Sequence, residues 1–142
     1  MDICIDFDGT CVTHEFPKIG KDIGAVLVLK ELIASGHNLI LFTMRNNCEN
    51  NTGFSKEIPE IINGNHLDDA VNWFKENDIP LYGINRNPTQ DLWTKSPKAY
   101  GQLYIDDAAL GCPLKFDSEI SNRPFVDWGK IREYLIKNEW IN

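Results

Sequence analysis

Two aspartates stand two positions apart at the end of the first apolar run of the chain. The run Ile3–Ile5 leads into Asp6 and Asp8, and Gly9 and Thr10 follow directly. Side chains alternate along a strand, so both carboxylates start on the same side, and a bend at Gly9 lets one enter a site while the other leans over it. Two carboxylates so close together repel each other, and a divalent cation is the usual remedy. The stretch therefore indicates a metal site, and the alternative is a turn with aspartates as caps.

Residues 6–10, Asp-Phe-Asp-Gly-Thr after an apolar strand, resemble the first motif of the haloacid dehalogenase (HAD) superfamily. Most members of that superfamily are magnesium-dependent phosphatases and phosphotransferases. The resemblance implies that Asp6 is the nucleophile and a magnesium ligand. It also implies that Asp8 is the acid and base and binds the metal through its backbone carbonyl. Gly9 and Thr10 become candidates for binding the substrate.

A second apolar run, residues 38–43, ends in Thr43. An apolar strand that ends in Thr or Ser resembles the second motif of the HAD superfamily, whose hydroxyl donates a hydrogen bond to a phosphoryl oxygen. Arg45 follows two residues later, where a guanidinium can bind the phosphate or the leaving group of a substrate. An ordinary surface arginine is the alternative for that position.

A third apolar run, Leu103–Ile105, ends in the adjacent aspartates Asp106 and Asp107. It resembles the last HAD motif, which supplies acidic ligands to magnesium, and the alternative is a simple turn. The superfamily also needs a lysine near the nucleophile to offset negative charge. Lys98, eight residues before Asp106, is the candidate, and Lys95 is the substitute.

Helical and apolar segments alternate along the chain, which predicts parallel strands joined by helices. The predicted helices span residues 23–35, 67–77 and 128–137, and the predicted strands span residues 3–5, 38–43, 80–85, 103–105 and 124–127. We expect a three-layer Rossmann-like α/β sandwich with a mainly parallel five-stranded sheet. The resemblance implies the strand order 5-4-1-2-3. Because the connections at 11–22 and 89–99 are short, we expect no cap domain, and the polar strand ends should meet at one edge of the sheet.

Two connections are candidates for contact with a substrate. Residues 46–65 contain six asparagines and form a long irregular connection, with a short helical piece predicted at 55–62. Long loops in compact domains are usually functional, so this one is a candidate substrate-selecting flap. His14, in the first connection, either touches the substrate or is a solvated loop histidine.

Composition narrows the class of protein. The 142 residues suit one domain spanning 1–142, with 42% hydrophobic and 25% charged residues. No apolar run approaches the roughly 20 residues of a membrane span, and Met1-Asp2-Ile3 has no basic region typical of a secretory signal, so we expect a cytoplasmic protein. The net charge of −7 disfavours binding to long nucleic acids but leaves a nucleotide or a phosphorylated end possible.

The four cysteines are Cys4, Cys11, Cys48 and Cys112, and no C-x-x-C pair occurs among them. Neither zinc nor a disulfide framework is indicated. Cys11 lies close to the aspartates and is an alternative nucleophile, but no partner pattern of His and Asn supports it.

The sequence thus predicts a magnesium-dependent phosphatase that hydrolyses a phosphate monoester through an aspartyl-phosphate on Asp6. By family analogy, chains without a lid often act on bulky phosphates or use a neighbouring subunit as cover, so a homo-oligomer is one expectation. A non-catalytic metal- or phosphate-binding protein is one alternative, although binding alone does not require Asp8. A phosphotransferase is the other, and it shares every residue named above.

Overall fold

The computed structural model describes residues 1–48 and 63–142. The strands are β1 (Asp2–Ile5), β2 (Asn38–Leu41), β3 (Asn47–Cys48), β4 (Gly64–Asn65), β5 (Gly83–Ile84), β6 (Leu103–Ile105), β7 (Leu114–Lys115) and β8 (Phe125–Val126). The helices are α1 (Ala25–Ala34), α2 (His66–Glu76) and α3 (Trp128–Lys137), and a 3₁₀ turn covers Gln90–Leu92. None of these helices is both long and apolar enough to cross a membrane.

Four parallel strands form the central sheet in the order β5-β2-β1-β6. Ile5 of β1 lies opposite Leu41 of β2 on one side and Ile105 of β6 on the other. The carboxyl ends of these three strands therefore lie side by side at one edge, where open α/β folds bind ligands. The arrangement of sheet and helices fits a Rossmann-like α/β fold.

The predicted fifth strand is not part of this sheet. Phe125–Val126 instead pairs antiparallel with Leu114–Lys115, so within the described residues the five-stranded sheet is a wrong prediction, although the other four strands keep their predicted relative order. Both residues of β8 are fully buried, which explains the apolar signal. The strand cannot extend further because Asp127 already caps α3, accepting a hydrogen bond from the Lys130 backbone N–H at 3.1 Å.

The two faces of the sheet are covered differently. Ile3, Ile5, Leu39 and Leu41 belong to the main core, to which α1, α2 and α3 all contribute. On the other face, Cys4 and Ile40 pack against Ala99 in the connection between β5 and β6. Among the described residues that second layer contains a 3₁₀ turn but no α-helix, which corrects the expectation of helices in both outer layers of the sandwich.

Element boundaries shift slightly from those predicted. Helix α1 begins two residues late because Gly24, with φ of +89°, is its N-cap, while Asp22 accepts a hydrogen bond from the Gly24 N–H at 3.2 Å. Strand β5 is only Gly83–Ile84, shorter than the predicted 80–85.

The long connection after β2 begins and ends in a two-stranded ladder. Asn47 pairs with Asn65 and Cys48 pairs with Gly64, in antiparallel fashion. The predicted helical piece at 55–62 lies outside the described residues. The described part of the candidate flap is therefore its paired base.

Candidate functional site

Three carboxylates meet at the carboxyl edge of the sheet. Asp6 directly follows β1, and its backbone N–H donates to the Ile105 carbonyl at 3.0 Å, which joins it to the end of β6. Asp106 and Asp107 follow β6. One carboxylate oxygen from each of the three aspartates lies within 4.8 Å of the other two. The structure thus brings together the acidic residues that the sequence places about 100 positions apart.

Asp6 is the member of this acidic cluster whose electrostatics stand out. The pKa of Asp6 is raised from 3.8 to about 8, mainly by burial and also by the neighbouring Asp106 and Asp107, while a hydrogen bond from Thr10 acts in the opposite direction. A divalent cation would relieve both effects, since it supplies the positive charge that three close carboxylates lack. The all-oxygen donor set suits a hard ion such as Mg²⁺ and fits less well with soft metals.

Thr10 holds the cluster in place from below. Its hydroxyl donates to Asp6 Oδ2 at 2.8 Å and accepts a hydrogen bond from the Asp107 backbone N–H at 3.0 Å. The indole N–H of Trp128 donates to the Thr10 carbonyl at 2.7 Å. Because Thr10 is fully buried, the geometry gives it a positioning role in place of the predicted substrate contact.

The backbone groups of Gly9 form hydrogen bonds within the protein. Its N–H donates to the Val12 carbonyl at 2.7 Å, and its carbonyl accepts from the Val126 N–H at 3.0 Å. Its φ is +81°, and a Cβ there would lie 2.0 Å from Nε2 of His14. Both polar backbone groups are used, so the predicted contact of Gly9 with a substrate is not supported.

His14 contacts the acidic cluster. Its Nε2 lies 2.8 Å from Oδ2 of Asp107, and its side chain is only 15% exposed. The sequence left His14 as either a substrate contact or a solvated loop histidine, because a loop position gives no sign of a contact spanning 93 residues. Its place in the structure is that of a residue that orients Asp107.

Asp8 points away from the cluster and pairs with Arg45. The Arg45 Nε–H donates to Asp8 Oδ2 at 2.7 Å, and Nη2 donates to Asp8 Oδ1 at 2.8 Å. This is a bidentate pair, the strongest geometry for an arginine and a carboxylate. The Asp8 side chain is 19% exposed and that of Arg45 only 1% exposed. The Asp8 carboxylate is therefore not among the clustered oxygens.

Every N–H of the Arg45 guanidinium is in use. Beyond Asp8, Nη1 donates to the carbonyls of Pro17 and His66, and Nη2 donates to the Lys18 carbonyl. These bonds account for all five donors of the group. The rings of Phe7 and Phe16 also lie 5.1 Å from its central carbon. Arg45 thus joins β1, the first connection and the start of α2, and it has no donor left for the substrate phosphate that the sequence suggested.

Thr43 lies in the small pocket over Asp6. This pocket has a volume of about 120 Å³ and is lined by Asp6, Phe42, Thr43, Met44 and Asp106. The Thr43 backbone N–H donates to Asn85 Oδ1 at 2.8 Å. The Thr43 hydroxyl oxygen accepts a hydrogen bond from the backbone N–H of Arg45 at 3.1 Å. Among the described residues the hydroxyl hydrogen has no acceptor, so it can donate to a ligand in the pocket.

Among the described residues, neither candidate lysine forms a hydrogen bond or an ion pair with Asp6. The Nζ of Lys98 lies 5.4 Å from the centre of the Tyr104 ring, and within the described residues Lys98 forms no ion pair. The connection that carries both lysines packs Ala99 against Cys4 and Ile40 on the second face of the sheet. Lys95 is exposed in the same connection.

Cys11 can be excluded as the nucleophile. It is fully buried, and burial raises the pKa of its thiol well above the usual value. The thiol donates a hydrogen bond to the Asp6 carbonyl at 3.3 Å. Its position is that of a core residue under the turn.

Comparisons with known proteins add one relationship. No protein-family model and no curated protein match the chain. The chain is similar to the solved structure of a conserved protein coded by a locus from Bacteroides thetaiotaomicron, with 32% sequence identity and a TM-score of 0.68. The match covers 98% of this chain and 91% of that one. The chain therefore belongs to the same protein family as this conserved Bacteroides protein.

Proposed function

We propose that this protein is a metal-dependent phosphatase of the HAD type that hydrolyses phosphate monoesters. The observation that carries the proposal is the meeting of Asp6, Asp106 and Asp107 at the end of adjacent parallel strands. Asp6 and Asp106 also line a pocket with the Thr43 hydroxyl. A nucleophile, a cation site and a hydrogen-bond donor to the phosphate thus occupy one small volume.

In the proposed reaction an oxygen of Asp6 attacks phosphorus. The new P–O bond forms as the bond to the leaving alcohol breaks, and water then attacks the phosphorus of the aspartyl-phosphate and releases Asp6. Thr10 fixes one Asp6 oxygen at 2.8 Å, which orients the carboxylate. Thr43 donates to a phosphate oxygen. Magnesium held by Asp6, Asp106 and Asp107, with the Asp8 carbonyl as a further ligand, would supply positive charge against the phosphate.

Asp8 keeps its proposed acid and base role, with Arg45 as its positioning residue. Each carboxylate oxygen has two lone pairs, and Arg45 uses one on each. The second lone pair of each oxygen can carry the proton that Asp8 gives to the leaving alcohol and then takes back from the attacking water, and the Asp8 side chain is partly exposed. Arg45 fixes the direction in which Asp8 presents that lone pair.

Phosphate release from a panel of esters, with and without Mg²⁺, tests the proposal. We expect Mg²⁺-dependent release by the native protein and a loss of about 10³-fold or more in Asp6→Asn. Glu133→Gln, an exposed change on α3, is the matched control and should keep full activity.

Two results would contradict the proposal. Activity retained by Asp6→Asn would remove the nucleophile from the mechanism. Metal binding by the native protein without phosphate release from any ester would favour the non-catalytic alternative. Product analysis with added alcohols shows whether the acceptor is water or an alcohol.

A further inference from the structure

A second pocket lies beside the acidic site, on the face of the sheet that carries no α-helix among the described residues. It has a volume of about 290 Å³, close to the lower end of ligand pockets at roughly 300–1,000 Å³. We call it the aromatic recess. Its lining includes Trp93, Thr94, Ser96, Lys98, Tyr100 and Tyr104.

The backbone of the recess is fixed by two buried amides. Gln90 is fully buried, accepts from the Tyr100 N–H at 2.9 Å and donates to the carbonyls of Ser96 and Lys98. Asn87, also fully buried, donates to the Tyr100 carbonyl at 3.2 Å. Such a network costs free energy unless every group is satisfied, so the loop is held in one conformation. The recess is therefore preformed.

Exposed aromatic rings line this rigid loop. Trp93 is 62% exposed and lies 5.3 Å from the Tyr100 ring, perpendicular to it. The hydroxyl of Tyr104 donates to the Ala99 carbonyl at 2.6 Å, and that of Tyr100 accepts from Gln102 at 2.8 Å. Both tyrosine rings are thus held while part of their surface stays accessible. Large aromatic surface left in water by a fixed loop is typical of a binding site.

Polar groups in the recess favour a heterocycle over a plain ring. The hydroxyl oxygens of Thr94 and Ser96 accept backbone N–H bonds at 3.1 and 3.2 Å, which leaves their hydrogens available as donors. The Trp93 indole N–H has no acceptor among the described residues. Lys98 adds a cation that forms no ion pair in the same part of the chain, although the chain carries a net charge of −7. Flat rings, donors and one cation together suit a nucleobase attached to a phosphate.

The recess adjoins the acidic pocket. Tyr104 and Asp106 lie two positions apart along β6 and its extension, so their side chains start on the same face about 7 Å apart. Tyr104 also contacts the ring of Phe42, with centroids 6.2 Å apart, and Phe42 lines the pocket of Asp6. A phosphate at Asp6 and a ring in the recess can therefore belong to one small molecule.

We propose that the aromatic recess binds the base of a nucleoside monophosphate whose phosphate reaches Asp6. The substrate class rests on the proposed function, whereas base binding in the recess does not. The recess makes the base a determinant of specificity, with stacking on Trp93 as its main contact.

Adenosine, which carries no phosphate, tests the recess separately from catalysis. We expect saturable binding by calorimetry, weakened about 5- to 150-fold in Trp93→Ala, as for the loss of one stacked base. Leu92→Ala removes a neighbouring side chain that is 89% exposed and does not line the recess, so it should bind as the native protein does. Absence of saturable binding, or equal affinity in folded Trp93→Ala, would overturn the proposal.

Adenosine 5′-monophosphate and ribose 5-phosphate form a matched pair of substrates, because they share sugar and phosphate and differ in the base. We expect kcat/KM to favour the nucleotide by the same 5- to 150-fold, Trp93→Ala to remove that preference, and Leu92→Ala to keep it. Equal turnover of both substrates would overturn the proposed base site while leaving the proposed phosphatase activity intact. Adenosine binding without turnover of either would contradict the phosphatase and leave the recess standing.

Discussion

One carboxylate and a cluster of three lie at the same edge of the sheet, and they differ in the positive charge that the protein places beside them. Asp8 receives an arginine whose five donors are all satisfied and whose faces are covered by Phe7 and Phe16. Asp6, Asp106 and Asp107 lie within 4.8 Å of one another, and the described residues offer them a histidine and a hydroxyl but no lysine or arginine.

The difference shows which charges belong to the scaffold. A buried ion pair that is fully hydrogen-bonded stabilises one arrangement of the chain and resists change. Carboxylates left without a cation cost free energy in the free protein, and under the proposed function Mg²⁺ would supply the missing charge. The protein thus neutralises Asp8 with its own arginine, whereas the proposed function assigns the acidic cluster to a bound cation.

Removing Arg45, the cation paired with Asp8, should have the largest effect on stability. Arg45→Met leaves Asp8 and several carbonyls without partners, and we expect a loss of about 3–5 kcal/mol in the free energy of unfolding. For a chain of this size that corresponds to a fall of roughly 10–17 °C in Tm, measured by calorimetry, and urea unfolding measures the free energy itself.

Arg86→Met is the matched control for this change. Arg86 also pairs with an aspartate, Asp91, but both side chains are at least 35% exposed. Exposed pairs contribute about 0–1 kcal/mol, so this variant should unfold nearly as the native protein does. A similar loss in both variants would show that burial does not distinguish the two ion pairs.

Adding Mg²⁺ as a ligand for the acidic cluster should stabilise the protein by a smaller amount. At a Mg²⁺ concentration of 100 times Kd, we expect about 2.7 kcal/mol in thermal unfolding. Asp106→Asn combined with Asp107→Asn should abolish this gain, whereas Asp117→Asn, remote from the cluster in the sequence, should keep it. A double variant that Mg²⁺ still stabilises would place the ion elsewhere.

The pH dependence follows from the raised pKa of Asp6. Because the folded pKa of about 8 exceeds the unfolded value of 3.8, the contribution of Asp6 is fully present below about pH 4 and is lost as the pH rises toward 8. Magnesium competes with that proton, so its stabilising effect should grow over the same range. Unfolding curves at pH 5 and pH 8, each with and without Mg²⁺, measure this.

The smallest expected effect concerns the orientation of one ligand. His14→Gln removes the contact with Asp107, and we expect Mg²⁺ affinity to fall about 10- to 100-fold, as for partners of metal ligands elsewhere. Calorimetric titration measures this. His37→Gln, at a histidine bonded to the Trp140 carbonyl, controls for the loss of a ring and should leave the affinity unchanged. Equal Mg²⁺ affinities in the native protein and both variants would show that His14 does not orient Asp107 for metal binding.

Short-range sequence patterns located the elements that hold the site. Apolar runs predicted β1, β2 and β6, and the polar residues at their ends meet because parallel strands share an edge. The same patterns did not predict that Arg45 selects Asp8, since that contact joins residues 37 positions apart and depends on how Phe16 and Pro17 fold over the guanidinium. They also suggested Lys98 as the lysine near Asp6, whereas the described contact of its ammonium group is with the Tyr104 ring, because the path of a connection over the sheet depends on long-range packing.

The ladder between β3 and β4 has a consequence for variation in length. Cys48 and Gly64 are paired, so the two ends of the connection between them lie side by side. The entropy of closing such a loop rises only slowly with the number of residues in it. Relatives of this protein can therefore carry shorter or longer segments there while the two paired ends keep their spacing.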